Sequence, residues 1–326
     1  MATIKDIAAQ VGVCVATVSR VLNFDQNMSV SEGTRKKIFE TAEALNYTPT
    51  RTRRSKSKQY TIGIANWYSQ KEEVGDPYYL SIRLAVEKKC QELDVQYVNI
   101  NHLNEEKVID GLVAIGKFGE EDIKEIEALS PHIVFLDCSP APKRYDSVIA
   151  DYEGGVEEAL NYLEKLGHKK IAFIGGEEFI NKDKQKLDDC REIAYRKWMA
   201  QKEAVKEKWI LKGSFTYEDG HRLMGKLLKE KDRPTAVFIA SDPMAIGAYK
   251  AIFDAGLSIP EDISILGFDD IKTAQFLTPA LTTVKVYTEF MAETGVELLI
   301  EQLTTGRSLH KKVTIPTALI QRDSVR

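Results

Sequence analysis

Carboxylate and hydroxyl side chains stand where several apolar, β-rich runs of the chain end. Asp137 closes the run HIVFLD, Ser241 and Asp242 follow AVFIA, and Asp269 and Asp270 follow ISILGF. The carboxyl ends of parallel strands meet at one edge of a sheet, and ligands bind at that edge. Carboxylates that accept hydrogen bonds from paired hydroxyl groups are suited to binding a sugar.

Other residues add a guanidinium group and flat rings to this set. Arg191 opens a helical pattern after a long loop, and Trp67 with Tyr68 follows the first β-rich run of the larger part of the chain. A guanidinium fork donates to two oxygens at once, and an aromatic ring packs on the apolar face of a pyranose. These side chains are candidates for the same binding site.

Each candidate also has a structural alternative. Asp242 precedes Pro243 and is most simply the N-cap of a helix. Asp269 and Asp270 can cap a turn, and Arg191 can lie on the surface of a charged helix. The aromatic residues can pack in a core instead of stacking on a ligand.

A different chemistry is indicated by GVCVATVSRVLN, Gly12 to Asn23. Two short helical patterns flank the glycine, which is helix-turn-helix spacing. The second helix would then enter the DNA major groove, and its short side chains let the backbone approach the bases. The residues predicted to contact bases or phosphates are Val15, Ala16, Thr17, Ser19 and Arg20. Arg20 has the reach for a bidentate contact with guanine, whereas Val18, Val21 and Leu22 would face the core. A plain three-helix interaction module is the alternative.

The elements around these residues predict three regions. Residues 1–49 are predicted to form a helix-turn-helix head, with helices at 4–11, 15–22 and about 31–45. Residues 50–59, TRTRRSKSKQ, carry five basic and no acidic side chains and are predicted to form a basic hinge or linker. Residues 60–326 are predicted to form a larger body.

The body alternates β-rich runs with helical patterns, which is typical of an α/β fold with parallel sheets. The predicted strands are 60–65, 95–100, 111–115, 132–137, 147–150, 171–175, 236–240 and 263–268. The predicted helices are 78–93, 120–129, 152–166, 188–201, 217–228, 245–254 and 289–303. These are too many strands for one small sheet, so we expect two similar lobes. The chain would pass between them near Ala150 and again near residues 277–285.

Charge and composition narrow the function. Residues 1–58 carry ten Lys and Arg against five Asp and Glu, while the whole chain of 326 residues has a net charge of −4. A basic head on an acidic body favours a polyanion-binding module attached to a second function. The four cysteines are far apart and are expected to be scattered buried thiols in a reducing compartment. We see no signal peptide, no membrane span, no catalytic motif and no cofactor motif, so we expect a cytoplasmic protein that is not an enzyme and needs no cofactor.

Several longer motifs together resemble the lactose-repressor/galactose-repressor (LacI/GalR) family of bacterial transcription factors. They are KDIAAQVGVCVATVSRVLN, TRKKIFETAEALNYTP, LGHKKIAFIGG, AVFIASDPMAIGAYKAI, GLSIPEDISILGFDD and TPALTTVKV. The resemblance covers nearly the whole chain. Within the family, the chain looks most like repressors of galactose and evolved β-galactosidase operons. The fold that the resemblance implies is a small all-α head joined to a two-lobed body like that of periplasmic binding proteins.

The resemblance implies roles for individual residues. Arg191, Ser241 and Asp269 match effector-contacting positions, and Asp137 and Phe215 match cleft positions that often contact the ligand. For Phe215 core packing is the alternative, and we add Trp67 to the predicted effector site. The remaining residues predicted to contact DNA are Thr3, Asn23, Thr34, Tyr47, Arg51 and Arg53.

Two departures from the family pattern stand out. Cys14 occupies the place of the usual serine, which is the better N-cap, so we expect a slightly weaker start of the recognition helix. The hinge lacks the leucine that wedges into the minor groove in this family. Arg51, Arg53 and Arg54 could instead enter that groove electrostatically.

The expected function is a sugar-responsive repressor of a galactose or β-galactoside operon. Its expected partners are double-stranded operator DNA, a galactose-type effector and a second copy of the chain in a homodimer. No membrane is expected among them. The chain ends at IQRDSVR without a terminal leucine heptad, which favours the dimer. A regulator that needs a corepressor and a non-regulatory sugar-binding protein remain as alternatives.

Overall fold

The computed structural model describes residues 3–22, 30–45, 47, 60–69, 73, 76–100, 108–180 and 185–326. The chain divides into two compact units, Met1–Gln59 and Tyr60–Arg326. The predicted contacts of Asn23, Arg51 and Arg53 lie outside the described residues, as does the predicted hinge.

The described residues of the first unit form three helices, α1 (Ile4–Val11), α2 (Val15–Leu22) and α3 (Glu32–Ala44). Thr3 and Asp6 form a capping box at the start of α1, and Gly12 ends that helix with a φ of 76°, in the left-handed region. The core comprises Ile7, Ala8, Val18, Val21, Ile38 and Ala42. The predicted helices and their buried faces are confirmed, because local caps and 3.6-residue periodicity specify them.

The second unit has two lobes, each built on a six-stranded sheet. The strands of the first lobe are β1 (Thr61–Asn66), β2 (Gln96–Ile100), β3 (Gly111–Ile115), β4 (Ile133–Leu136), β5 (Asp146–Ala150) and β13 (Lys312–Ile315). Their order across the sheet is β13-β5-β4-β3-β1-β2, and every pair is parallel. Helices α4 (Pro77–Glu92), α5 (Glu120–Leu129) and α10 (Thr288–Thr305) belong to this lobe.

The second lobe repeats this strand order. Its strands are β6 (Ile171–Gly176), β9 (Ile210–Gly213), β10 (Ala236–Ile239), β11 (Ser264–Asp269), β12 (Thr282–Lys285) and β14 (Ala318–Ile320). The order is β14-β12-β11-β10-β6-β9, and β14 alone pairs antiparallel. Its helices are α6 (Tyr152–Lys165), α7 (Cys190–Gln201), α8 (Tyr217–Leu227) and α9 (Asp242–Asp254). A hairpin of β7 (Glu178–Ile180) and β8 (Gln185–Leu187) follows β6.

The predicted fold class is confirmed, with corrections at the edges. Strands β7, β8, β9, β12, β13 and β14 were not predicted, because they are three or four residues long and several carry polar side chains on both faces. The second passage between the lobes runs through residues 285–288, slightly after the predicted place. A third passage, which was not predicted, connects β13 with β14 through residues 315–318.

The cysteine prediction is partly wrong. Cys90 is buried on α4 and Cys138 is half-buried, but Cys14 and Cys190 are exposed. Cys14 directly precedes α2 and Cys190 begins α7, where side chains face solvent before the helix meets its core. Among the described residues, no helix is long and apolar enough to span a membrane, and no cluster of His, Cys, Asp and Glu could hold a metal ion.

Candidate functional site

The exposed face of α2 carries the side chains predicted to read DNA. Val15, Ala16 and Arg20 are exposed, and Thr17 and Ser19 are half-buried at its edge. Val18 and Val21 are fully buried on the opposite face. The helix therefore separates short, exposed side chains from its core contacts, as a helix that enters a DNA groove must.

Cys14 makes a local contact at the start of α2. Its Sγ lies 3.1 Å from Thr17 Oγ1, and this hydrogen bond is the main cause of a lowered Cys14 pKa. The thiol thus contacts the hydroxyl of the residue three positions later, whose backbone amide a capping serine would bind, and sulfur makes a weaker hydrogen bond.

The other predicted DNA contacts of the head have structural roles at helix ends. Thr3 Oγ1 accepts from the Asp6 amide at 3.3 Å. Thr34 donates its amide to Ser31 Oγ at 3.2 Å. Tyr47 packs against the core of the head and donates its amide to the Ala42 carbonyl at 2.8 Å. Their DNA contacts stay predictions.

A second site lies between the two lobes of the body, where strand ends from both sheets converge. We call it the inner site, and its lining residues are Asp76, Tyr78, Tyr79, Lys117, Asp137, Tyr152, Glu178, Arg191, Phe215, Ser241 and Asp269. The space that they enclose is about 20 Å³, which is room for roughly one water molecule. Five of the six predicted effector contacts, all except Trp67, are brought together here.

Asp137 is the centre of the first lobe's contribution. It follows β4 with a φ of 70°, a left-handed conformation that is uncommon for non-glycine residues and clusters at functional sites. The Tyr78 and Tyr79 hydroxyls each donate to its carboxylate at 2.9 Å. Tyr152, which begins α6 in the second lobe, donates to the same carboxylate. Asp137 therefore binds hydroxyl groups from both lobes.

Burial and the Asp137 carboxylate raise the pKa of each of these three tyrosines well above its ordinary value. The hydroxyls consequently remain protonated donors across the physiological pH range. A carboxylate that accepts hydrogen bonds from tyrosine hydroxyls can accept them from the hydroxyl groups of a ligand instead.

Arg191 is the centre of the second lobe's contribution. It is 8% exposed, so the alternative that it is a surface residue is wrong. Its Nε donates to Asp189 Oδ1 at 2.9 Å and its Nη1 to the Ala240 carbonyl at 2.6 Å. The guanidinium carbon lies 4.8 Å from the centroid of the Phe215 ring. Burial opposes its charge, but the Asp189 carboxylate prevails and raises the Arg191 pKa further.

Phe215 packs in the core and also faces the site, so its two interpretations are compatible. Its ring lies against Gly176 at the end of β6, where a Cβ atom would come within 2.4 Å of the ring. The glycine pair Gly175-Gly176 thus makes room for an aromatic side chain rather than for a phosphate.

Asp269 ends β11 and has a φ of 114°. Strand β11 occupies the same place in the second sheet as β4 does in the first, so Asp269 corresponds to Asp137. It is 7% exposed, and its pKa is raised well above the ordinary value by burial and by the neighbouring Asp242. Asp242 is the first residue of α9 rather than its N-cap, so that prediction is wrong. Its carboxylate instead accepts from the Ile271 amide and the Thr283 hydroxyl, 2.9 and 2.7 Å away.

Ser241 is the N-cap residue of α9, but its side chain makes no capping hydrogen bond. Its Oγ is buried and has no hydrogen-bond partner among the residues that the structure describes. A buried hydroxyl without a partner costs free energy, which a hydrogen bond to a ligand in this site would recover.

Trp67 is the predicted effector contact that does not line the inner site. Its indole ring packs edge-on against Tyr79, with ring centroids 5.7 Å apart, and Lys117 Nζ lies 5.9 Å from its ring. Trp67 therefore contacts two residues that line the inner site, Tyr79 and Lys117, without lining the site itself.

Sequence reasoning missed four lining residues, Asp76, Lys117, Tyr152 and Glu178, and identified Tyr78 and Tyr79 only as the start of a helix that faces the cleft. Lys117 follows β3 in the first lobe and forms an ion pair with Glu178 on the hairpin of the second. Asp76 caps α4 by accepting from the Tyr78 amide, and burial raises its pKa to about 6. Glu178 lies 61 residues from Lys117 in the sequence, whereas the run Asp76-Pro77-Tyr78-Tyr79 indicates a helix start by local rules.

Two family models match the chain. One, described as bacterial regulatory proteins of the lacI family, matches residues 3–50. The other, described as a periplasmic binding protein-like domain, matches residues 160–325.

Full-length relatives are also found. The HTH-type transcriptional repressor MelR of Bacillus subtilis (strain 168) is 40% identical over 99% of this chain and 97% of its own length. The HTH-type transcriptional regulator GalR of Streptococcus thermophilus is 36% identical over the whole of both chains.

Solved structures agree with these matches. The complex of the transcriptional regulator CelR with cellobiose has a TM-score of 0.71 at 26% identity and covers 99% of this chain and all of its own. The lac repressor dimer bound to operator and the anti-inducer ONPF has a TM-score of 0.68 at 27% identity, covering 99% of this chain and 98% of its own.

Proposed function

The chain belongs to the lacI family of bacterial regulatory proteins, and from this premise we propose that a galactose-type sugar releases it from its operator. The coarser function follows from the family. The protein is a DNA-binding transcriptional regulator with a sugar-binding type of body, and it is not an enzyme. The identity of the sugar, the residues that contact it and the homodimer are parts of the proposal.

The observation that carries the sugar proposal is the meeting of three groups in the inner site. Asp137 and Asp269 are carboxylates at the ends of strands in opposite lobes. The Arg191 guanidinium lines the same site and lies over the Phe215 ring. Carboxylates and a guanidinium fork bind pairs of sugar hydroxyls, while an aromatic ring packs on the apolar face of a pyranose. The unpartnered Ser241 hydroxyl adds a further polar contact.

The small volume of the inner site supports a mechanism for release. A hexose is far larger than the water molecule that about 20 Å³ can hold, so a sugar enters only when the lobes move. That movement must break the hydrogen bond from Tyr152 to Asp137 and the ion pair between Lys117 and Glu178, which both link the lobes. The sugar therefore has different affinities for the two arrangements, which is the condition for shifting one into the other.

DNA reading is proposed for the exposed face of α2, with Val15 and Ala16 against thymine methyl groups and Arg20 on guanine. A single small head buries too little surface for tight specific binding, so two heads on a pseudo-palindromic operator are required. For the dimer we propose a face that includes Leu84 on α4 and Phe290 on α10. These apolar side chains are 50% and 56% exposed, and their helices pack together.

The proposal is tested by fluorescence anisotropy with labelled DNA from upstream of the gene for this chain and its operon neighbours. We expect specific, salt-sensitive binding that galactose, lactose or allolactose weakens. Arg20→Ala should weaken specific binding about 10- to 100-fold, because one bidentate base contact contributes roughly 1–3 kcal/mol. Arg144→Ala, at an exposed position of the body, is the matched control and should bind normally.

The other outcomes separate the parts of this proposal. Specific DNA binding that no sugar alters would keep the DNA reader and reject the galactose-type effector. Binding that appears only when a small molecule is added would favour corepressor logic. A lack of specific binding at moderate salt would reject the role assigned to α2.

A further inference from the structure

We propose that the effector occupies two adjoining spaces between the lobes, so that it is an uncharged disaccharide or similar two-unit glycoside rather than a single hexose. This inference rests on the proposed function, because it specifies the size and charge of the sugar. The two spaces are the inner site and a neighbouring cavity that we call the side chamber.

The side chamber has a volume of about 450 Å³ and adjoins the inner site. Both spaces share the side chains of Lys117, Asp137, Tyr152 and Arg191. Pockets that hold small molecules usually measure roughly 300–1,000 Å³, so the side chamber alone has room for a sugar unit. A ligand that reaches Arg191 from the side chamber enters the inner site as well when the lobes move apart.

Each space contains a buried oxygen that has no hydrogen-bond partner among the residues the structure describes. Ser241 Oγ lines the inner site, and Asp189 Oδ2 belongs to a residue that lines the side chamber. The Asp189 side chain is 9% exposed, and only its other oxygen accepts from Arg191. Burial opposes ionisation of Asp189, but the Arg191 charge prevails and lowers its pKa, so the free oxygen requires a donor. One unit in each space supplies a hydroxyl to both atoms.

The walls of the side chamber fit a pyranose ring. Phe118, Ile180 and Leu187 provide apolar surface, whereas Asp188, Asp189 and Lys312 provide polar groups. A pyranose has an apolar face and a rim of hydroxyls, so such a mixed lining can contact both.

The charges of the two spaces favour an uncharged ligand. Lys117 is paired with Glu178, and Arg191 is paired with Asp189. Asp137 adds a further carboxylate that faces both spaces. Lys312 adds a cation and Asp188 a carboxylate, so the two linings together contain six carboxylates and three cations. A phosphate group would meet net repulsion from this lining.

The test is isothermal titration calorimetry on the full chain with galactose, lactose, allolactose, melibiose and galactose 6-phosphate. We expect at least one disaccharide to bind about tenfold or more tightly than galactose, and galactose 6-phosphate to bind more weakly than galactose. Leu187→Trp, which fills part of the side chamber, should reduce disaccharide affinity to the level of galactose. Leu166→Trp, at a 41% exposed position outside the cleft, is the matched control.

Three results would overturn the inference in distinguishable ways. Equal affinity for galactose and every disaccharide, with no effect of Leu187→Trp, would reject the two-space ligand and leave the proposed function intact. Tighter binding of galactose 6-phosphate would reject the uncharged ligand. Operator binding without affinity for any of these sugars would reject the effector class itself.

Discussion

The two lobes of the body present an aspartate at the same place in the same strand order, yet they treat it differently. Asp137 of the first lobe is surrounded by three tyrosine hydroxyls that donate to it. Asp269 of the second lobe lies beside another buried carboxylate, Asp242, and near Arg191. One lobe therefore stabilises its carboxylate with neutral donors, and the other places it among charges.

This difference indicates that the two aspartates have different roles in the inner site. The hydroxyl donors around Asp137 include one from the opposite lobe, so that carboxylate also links the lobes. Asp269 and Arg191 both belong to the second lobe and can bind a ligand without holding the lobes together. A ligand that replaces Tyr152 at Asp137 therefore alters the contact between the lobes, whereas a ligand at Arg191 gains affinity.

The largest expected effect is on sugar affinity when the guanidinium fork is removed. Arg191→Lys keeps the buried positive charge but loses the paired donors and the flat stacking surface on Phe215. We expect sugar affinity to fall about 100-fold, roughly 3 kcal/mol, with operator binding retained. Calorimetry measures the first and anisotropy the second. Arg196→Lys, on the same helix but paired with exposed Glu207, is the control. Unchanged sugar affinity in Arg191→Lys would remove Arg191 from the proposed site.

Replacing each of the two aspartates by asparagine tests whether the lobes stabilise their carboxylates differently. Asp137→Asn should lower the free energy of unfolding by about 2 kcal/mol, because three tyrosine hydroxyls lose their carboxylate acceptor. Asp269→Asn should raise it by about 1 kcal/mol at pH 8, because it removes a carboxylate whose ionisation burial and Asp242 oppose.

Chemical denaturation at pH 8 measures both changes. Asparagine tolerates the left-handed backbone at each position, so the side-chain charge is the variable. Changes of the same sign in the two variants would contradict the difference that we assign to the lobes.

A further expected effect concerns Asp76 and the dependence of stability on pH. Burial raises its pKa from 3.8 to about 6 in the folded state. The folded protein therefore holds this proton more tightly, and the corresponding stability is full below pH 3.8 and is lost as the pH rises to about 6. Asp76→Asn keeps the cap of α4 but removes the ionisation. Its free energy of unfolding should exceed that of the parent by about 3 kcal/mol at pH 8 and approach it near pH 4.

Denaturant titrations at several pH values check this prediction. Asp122→Asn at the start of α5, where the Gly119 amide donates to the carboxylate, is the matched control. A gain that is equal at every pH would show that the burial of the Asp76 charge is not its cause.

The sequence by itself determined the features that depend on neighbouring residues. The capping box of Thr3 and Asp6, the left-handed Gly12 and the buried Val18 and Val21 follow from local rules, so the head could be predicted helix by helix. The alternation of strands and helices likewise predicted two parallel sheets. Strand ends such as Asp137 and Asp269 could be identified because each directly follows an apolar run.

Only the tertiary structure decided which side chains meet at those strand ends. Tyr79, Lys117 and Glu178 line the inner site although no spacing in the sequence joins them to Arg191. Asp242 reads locally as a helix cap but is bound by Thr283, whose strand lies beside it only after folding. Hydrogen bonds and ion pairs act over a few ångströms in space. Residues far apart in the chain therefore acquire their partners only when the two sheets and their helices have packed.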